Sequence, residues 1–210
     1  MAFLATVSRD LDWRERELGA MKILLDTTVA EAQRLTLLRA AWALLYAHFE
    51  GSVKFSLDCF FEEICRKYPG HENIPSCVLG FIHKSEINRI KSLSAADFLQ
   101  RAMTIEVDIL AISPDPPEVD AESNLTVPVL LKLLNNTDVS EENSPQLFSL
   151  IESEKFRIRT LVARRNAIAH GENNMIQEVS YYLEYENMVS ELIYNVAYAL
   201  DARVEAMLGN

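Results

Sequence analysis

An all-α fold is what the 210-residue sequence predicts. The chain holds only six glycines, few for a sheet protein that needs tight hairpins, and has long stretches free of Pro and Gly. Apolar residues also recur at helical spacing in two places. Leu35, Leu38, Trp42, Leu45 and Phe49 are one such stripe, and Tyr182, Tyr185, Val189, Leu192, Val196 and Ala199 the other.

Taken in order, a first helix is expected from about Asp10 to Glu31, charged early and apolar later. The Leu35–Phe49 stripe, widened by Leu37, Ala41 and Leu44, predicts a central helix contacted on more than one side. His48 and Glu50 stand at its end, and helix resumes over Phe55–Tyr68 until Pro69-Gly70 stops it. Pro75 and Gly80 interrupt the next stretch. Ser94-Ala95-Ala96-Asp97 reads as a capping box with Asp in place of Glu, opening a helix through about Leu99 to Leu110. An acidic, proline-rich loop follows from Ser113 to about Asn124. Thr126, with Pro128 in the first turn, then caps a short helix over Val129–Leu134. Asn135–Pro145 is a second polar loop, so residues from about 111 to 147 form a loop-rich insert too short to be a domain. A long helix is expected from Phe148 to about His170, with Gly171 ending it, and the tyrosine-striped helix closes the chain. That stripe reads as core or interface in preference to a base-stacking platform.

The length suits one domain over residues 1–210. Hydrophobic residues at 49% and charged residues at 24% are ordinary for a soluble globular protein. No basic-then-apolar leader and no apolar run of about 20 residues is seen, so neither secretion nor a membrane span is expected. Asn124-Leu125-Thr126 matches a glycosylation acceptor, which means little without a secretion signal. Cys59, Cys65 and Cys77 lack C-x-x-C spacing and are odd in number, which points to a reduced cytoplasmic setting. His71 and His83 have no ligand companions at metal-binding spacing and read as surface or loop residues; no metal site is expected.

A net charge of −11 argues against coating nucleic acid through overall charge. It leaves room for a local site. Lys155, Arg157, Arg159, Arg164 and Arg165 place five of the twenty basic residues just ahead of His170. Such a patch either attracts phosphate or is simply a solvated helix face.

The stretch Leu161–Gly171 holds the chemistry. On a helix, Ile158, Leu161, Val162, Ile168 and Ala169 share an apolar arc with Arg165 near its middle. A guanidinium on a buried face needs a carboxylate, carbonyls, a subunit interface or an anionic ligand. Glu50 is a candidate partner; in that reading Arg165 is structural, and Asn166 and His170 merely cap the helix. In the other reading Arg165 and His170 act on one phosphodiester. The histidine moves a proton on or off the 2′-hydroxyl or the leaving oxygen, the arginine stabilises phosphate charge, and Asn166 orients either group. Five positions on a regular helix separate two side chains by about 140°. Either the helix ends before His170, or Arg165 and His170 converge across a symmetric dimer.

Arg165-Asn166-Ala167-Ile168-Ala169-His170-Gly171, with Leu45-Tyr46-Ala47-His48-Phe49-Glu50-Gly51 and Asn124-Leu125, resembles a bacterial branch of the HEPN superfamily. The likeness runs from about Leu35 to the last helix. It implies an antiparallel helical bundle that forms a homodimer with both motifs facing one cleft. It also implies endoribonuclease activity without metal or cofactor. Arg165 and His170 would be catalytic and Asn166 supporting, with Arg164 a second candidate for the catalytic arginine. Within the basic run, Arg164, Arg159 and Arg157 are the residues expected to bind the RNA substrate; Glu50 and His48 are candidate supports of the site, His48 being read first as structural. Many relatives act as toxins beside an antitoxin or in phage defence, which implies a protein partner. Others serve as noncatalytic modules binding RNA, a nucleotide or a protein, and that is the alternative carried forward.

Overall fold

Phe3, Val7, Leu11, Leu18 and Leu25 are all buried, and at 100° per residue they fall within one narrow arc of a helix. That stripe extends the first helix, α1, over Ala2–Thr27, eight residues earlier than the sequence reading placed it. The structure, a computed structural model, describes residues 2–67, 74–103, 115–121, 123–172 and 178–208. Among them are eight helices and no strand.

The second helix, α2, runs unbroken over Glu31–Arg66. At 1.5 Å per residue it is about 54 Å long. It passes through Gly51, so His48 and Glu50 lie in mid-helix and not at an end. The glycine has a local reason: a Cβ there would stand 2.8 Å from Arg14 Nη1. Trp42, Leu45, Phe49, Leu57 and Phe60 are fully buried along α2, which makes it the central helix.

Three short helices follow, α3 (Ser76–Ile82), α4 (Lys84–Lys91) and α5 (Ala95–Ala102). Ser94 caps α5 as expected, its Oγ accepting from the Asp97 amide at 3.3 Å. The rest of the helix expected to Leu110 lies outside the described residues, as does His71. His83, read from sequence as a surface or loop residue, lies in the turn between α3 and α4 but is only 6% exposed. Helix α6 (Val127–Asn135) has Pro128 in its first turn. The stretch read as an insert is not peripheral: Val119, Ala121, Leu125, Leu130, Leu134 and Val139 from it are all buried in the core.

Helix α7 spans Pro145–Ala169 and α8 spans Val179–Leu208. α2 packs against α1, α7 and α8, and both α1 and α7 also touch α8. Lys22 pairs with Glu186 at 2.7 Å while Glu15, earlier in α1, reaches Tyr194, later in α8, so these helices are antiparallel. Arg39, near the start of α2, meets Ile168 at the end of α7. The four long helices therefore form an up-down-up-down bundle. No helix among the described residues is long and apolar enough to cross a membrane.

Candidate active site

One face of α2 builds the floor. Arg39, Trp42, Tyr46 and Glu50 are spaced 3, 4 and 4 residues apart, so all four project toward the same side, and the first three meet the end of α7. The Arg165 guanidinium carbon lies 5.1 Å from the centre of the Tyr46 ring, and that of Arg164 lies 4.8 Å from the centre of Trp42. Cation–π contact suits a guanidinium that must stay near an apolar face without a counter-ion.

Arg165 is half-buried, and its hydrogen bonds go to neutral oxygens. Its Nη1 donates to Asn166 Oδ1 at 2.9 Å and to Asn124 Oδ1 at 3.3 Å. Among the described residues no carboxylate pairs with it. Glu50 lies against the Tyr46 hydroxyl instead. That hydroxyl also accepts from the Leu125 amide at 2.8 Å, which fixes the backbone beside Asn124. Burial, reinforced by the Glu50 charge, pushes the Tyr46 phenol up to about 12, so it stays protonated as a donor.

His170 ends α7. Glu172 N–H donates to the Ala167 carbonyl at 2.9 Å, and Gly171 N–H to that of Ile168 at 3.1 Å. With Gly171 at φ 76, this is a Schellman cap. Arg39 clamps it from α2, donating to the carbonyls of Ile168 at 3.2 Å and Glu172 at 2.5 Å. The turn leaves His170 exposed, and Ala169, expected on the apolar arc, is exposed beside it. Because α7 stays helical through Ala169, the offset of about 140° between Arg165 and His170 persists. No hydrogen bond or ion pair joins them within the chain.

The other predicted residues divide. Arg164 is half-buried, stacked between Trp42 and Tyr181, with its Nε buried and lacking a hydrogen-bond partner. Tyr181 and Tyr185 share a hydrogen bond of 2.8 Å between hydroxyls beside it, and burial pushes the Tyr185 phenol up to about 12. Arg157 is ion-paired to Glu154 at 3.2 Å and Glu184 at 3.6 Å, and Lys155 to Glu152, so these two members of the basic run are neutralised. Arg159 is exposed and has no carboxylate partner among the described residues.

His48 belongs elsewhere. Two positions on from Tyr46, it points some 200° away toward α1. There its Nε2 lies 2.9 Å from Glu17 Oε2 and its Nδ1 3.4 Å from Arg14 Nη1, with Trp13 edge-on at 5.2 Å between ring centres. Burial first, then the Arg14 charge, lowers its proton affinity below that of an ordinary histidine. It braces the α1–α2 contact and does not touch Arg165.

Sequence reasoning missed Arg39 and the part played by the Trp42 and Tyr46 rings. Their spacing on α2 was a usable signal for a shared face. Nothing local indicated that this face meets the motif.

In comparisons with known proteins, the family model described as HEPN_MAE_28990-like HEPN matches residues 3–207. No curated protein and no solved structure matches the chain.

Proposed function

The chain belongs to the HEPN_MAE_28990-like HEPN family, and on that premise we propose that it is a metal-independent endoribonuclease working as a homodimer. The observation that carries this reading is the state of Arg165. Its charge is only half-buried and is held by Asn124, Asn166 and the Tyr46 ring, with no carboxylate among the described residues to neutralise it. A guanidinium so placed is prepared for an anion, and a phosphodiester fits its paired donors.

In the proposed reaction His170 takes the proton of an RNA 2′-hydroxyl as that oxygen attacks phosphorus. A 2′-O–P bond forms, the P–O5′ bond breaks, and the 5′-oxygen takes up a proton, leaving a 2′,3′-cyclic phosphate. Each composite site pairs Arg165 of one copy with His170 of the other, and water supplies the proton that the 5′-oxygen takes up. Arg165 binds the non-bridging oxygens and stabilises their charge in the transition state; Asn166 holds its Nη1 in place. That no hydrogen bond or ion pair joins Arg165 and His170 in one chain supports convergence across a two-fold axis. A toxin or defence component, held in check by an antitoxin or other protein partner, is the setting proposed for this activity.

RNA cleavage in EDTA, with cyclic phosphate ends, is the expected result. It should vanish in Arg165→Ala and in His170→Ala. Cleavage that survives both substitutions would sink the assignment.

The ion pairs that neutralise Lys155 and Arg157 favour a second reading, a noncatalytic module that binds RNA, a nucleotide or a protein. It predicts a stable complex without cleavage that persists after His170→Ala.

A further inference from the structure

Along α7 from the motif, the segment Thr126–Pro128 faces Lys155, Phe156, Arg159 and Val162 across a cavity of about 560 Å³. Its volume lies in the range of small-molecule sites and is ample for a nucleotide. Phe156 is 68% exposed, which is unusual for a phenylalanine placed beside a cavity. Arg159 supplies a cation without a carboxylate partner among the described residues. Lys155 stands 5.6 Å from the centre of the Phe156 ring, although its charge is shared with Glu152.

The cavity connects to the motif from both sides. One wall begins just after Asn124, whose Oδ1 accepts from Arg165 at 3.3 Å. On the other, Asn166 follows Arg159 by seven residues and projects within about 20° of it, about 10 Å further along the helix. Asn166 Oδ1 in turn accepts from Arg165.

We propose that this cavity is a subsite for a single nucleotide of the RNA strand beside the scissile phosphate, its base stacked on Phe156 and its phosphate on Arg159. The proposal rests on the ribonuclease reading for the identity of the strand. An aromatic face beside a guanidinium with no carboxylate partner among the described residues matches the two halves of a nucleotide, whereas a purely apolar occupant would leave Arg159 unused. Stacking of this kind accepts any base, so it contributes affinity and places the strand without fixing sequence.

The test uses the full chain carrying His170→Ala, so that RNA stays intact, and measures binding of a single-stranded oligoribonucleotide by fluorescence anisotropy. Adding Phe156→Ala or Arg159→Gln should weaken binding by about tenfold each. Phe156→Leu, which keeps apolar bulk without a ring, should behave like Phe156→Ala. Among oligonucleotides with one abasic position, the one abasic at the subsite should bind the parent weakly and be insensitive to Phe156→Ala. Unchanged affinity in all three variants would overturn the subsite, even if cleavage by the unmutated chain stands. Phe156-dependent binding with no cleavage by the unmutated chain would retain the subsite and sink the nuclease. Dissociation of the dimer by Phe156→Ala, with RNA affinity per folded chain unchanged, would show that Phe156 contacts a second copy and would also overturn it.

Discussion

Arg39 Nη1 donates to the Glu172 carbonyl at 2.5 Å, tying the central helix to the turn that presents His170. With its second bond to Ile168, one side chain satisfies two carbonyls at the end of α7. Arg39→Gln should cost about 1–2 kcal/mol in urea unfolding. In the proposed nuclease it should lower kcat more than it raises KM, because it loosens His170 without touching substrate. Arg39→Lys should recover part of both. Full activity in Arg39→Gln would show that the clamp does not position His170.

Tyr46 separates ring from hydroxyl. Tyr46→Phe keeps the face under Arg165 but leaves the buried Leu125 amide without its acceptor, at a cost of about 1–3 kcal/mol. Tyr46→Leu removes both and should cost more, with a larger loss of RNA affinity. Equal stability of Tyr46→Phe and the parent chain, read by chemical denaturation, would contradict the bonding described.

His48 makes stability depend on pH. Burial and Arg14 lower its proton affinity in the fold, against the opposing pull of Glu17 and Asp10. As pH falls, the unfolded chain takes up the proton first. This component is therefore fully present above the ordinary histidine value of about 6.5, is lost as pH falls through it, and levels off below the lowered folded value. Urea midpoints of the parent and of His48→Gln, compared at pH 8 and pH 5.5, should show a smaller acid loss in the variant. The same loss in both would remove His48 from the account.

Gly51→Ala sets two effects of similar size against each other. Helix propensity favours Ala by about 1 kcal/mol. The new methyl, though, would stand 2.8 Å from Arg14 Nη1, and Asp10 holds Arg14 through bonds of 2.6 and 3.1 Å. Crowding of that kind costs about 1–3 kcal/mol, so the expected net change is a small loss. In an Arg14→Ala background the same substitution should become stabilising. No change of sign in thermal unfolding would show that Arg14 yields freely.

Much of this architecture was legible in the chain. α7 and its end at Gly171 followed from periodicity and from a glycine at positive φ, and Ser94 announced the start of α5. The start of α1 was hidden because Arg14, 9% exposed, interrupts an otherwise apolar stripe. α2 was read as ending near Glu50 and resuming at Phe55, yet it runs through Gly51, whose contact with Arg14 accounts for a glycine in mid-helix. At the site, Arg165 and Asn166 carried a local signal. Glu50 shares a face with Tyr46 and was sensibly offered to Arg165, yet it engages the phenol instead. Arg39 could not have been chosen, since its partners Ile168 and Glu172 are brought to it by tertiary packing.

The central claim is that Arg165 of one copy and His170 of another act on one phosphodiester. Mixing unfolded Arg165→Ala and His170→Ala chains and refolding them together tests it most directly. One of the two composite sites in each mixed dimer is then intact, so the two inactive parents should regain RNA cleavage in EDTA together. A mixture of verified mixed dimers as inactive as either parent would contradict the two-chain site.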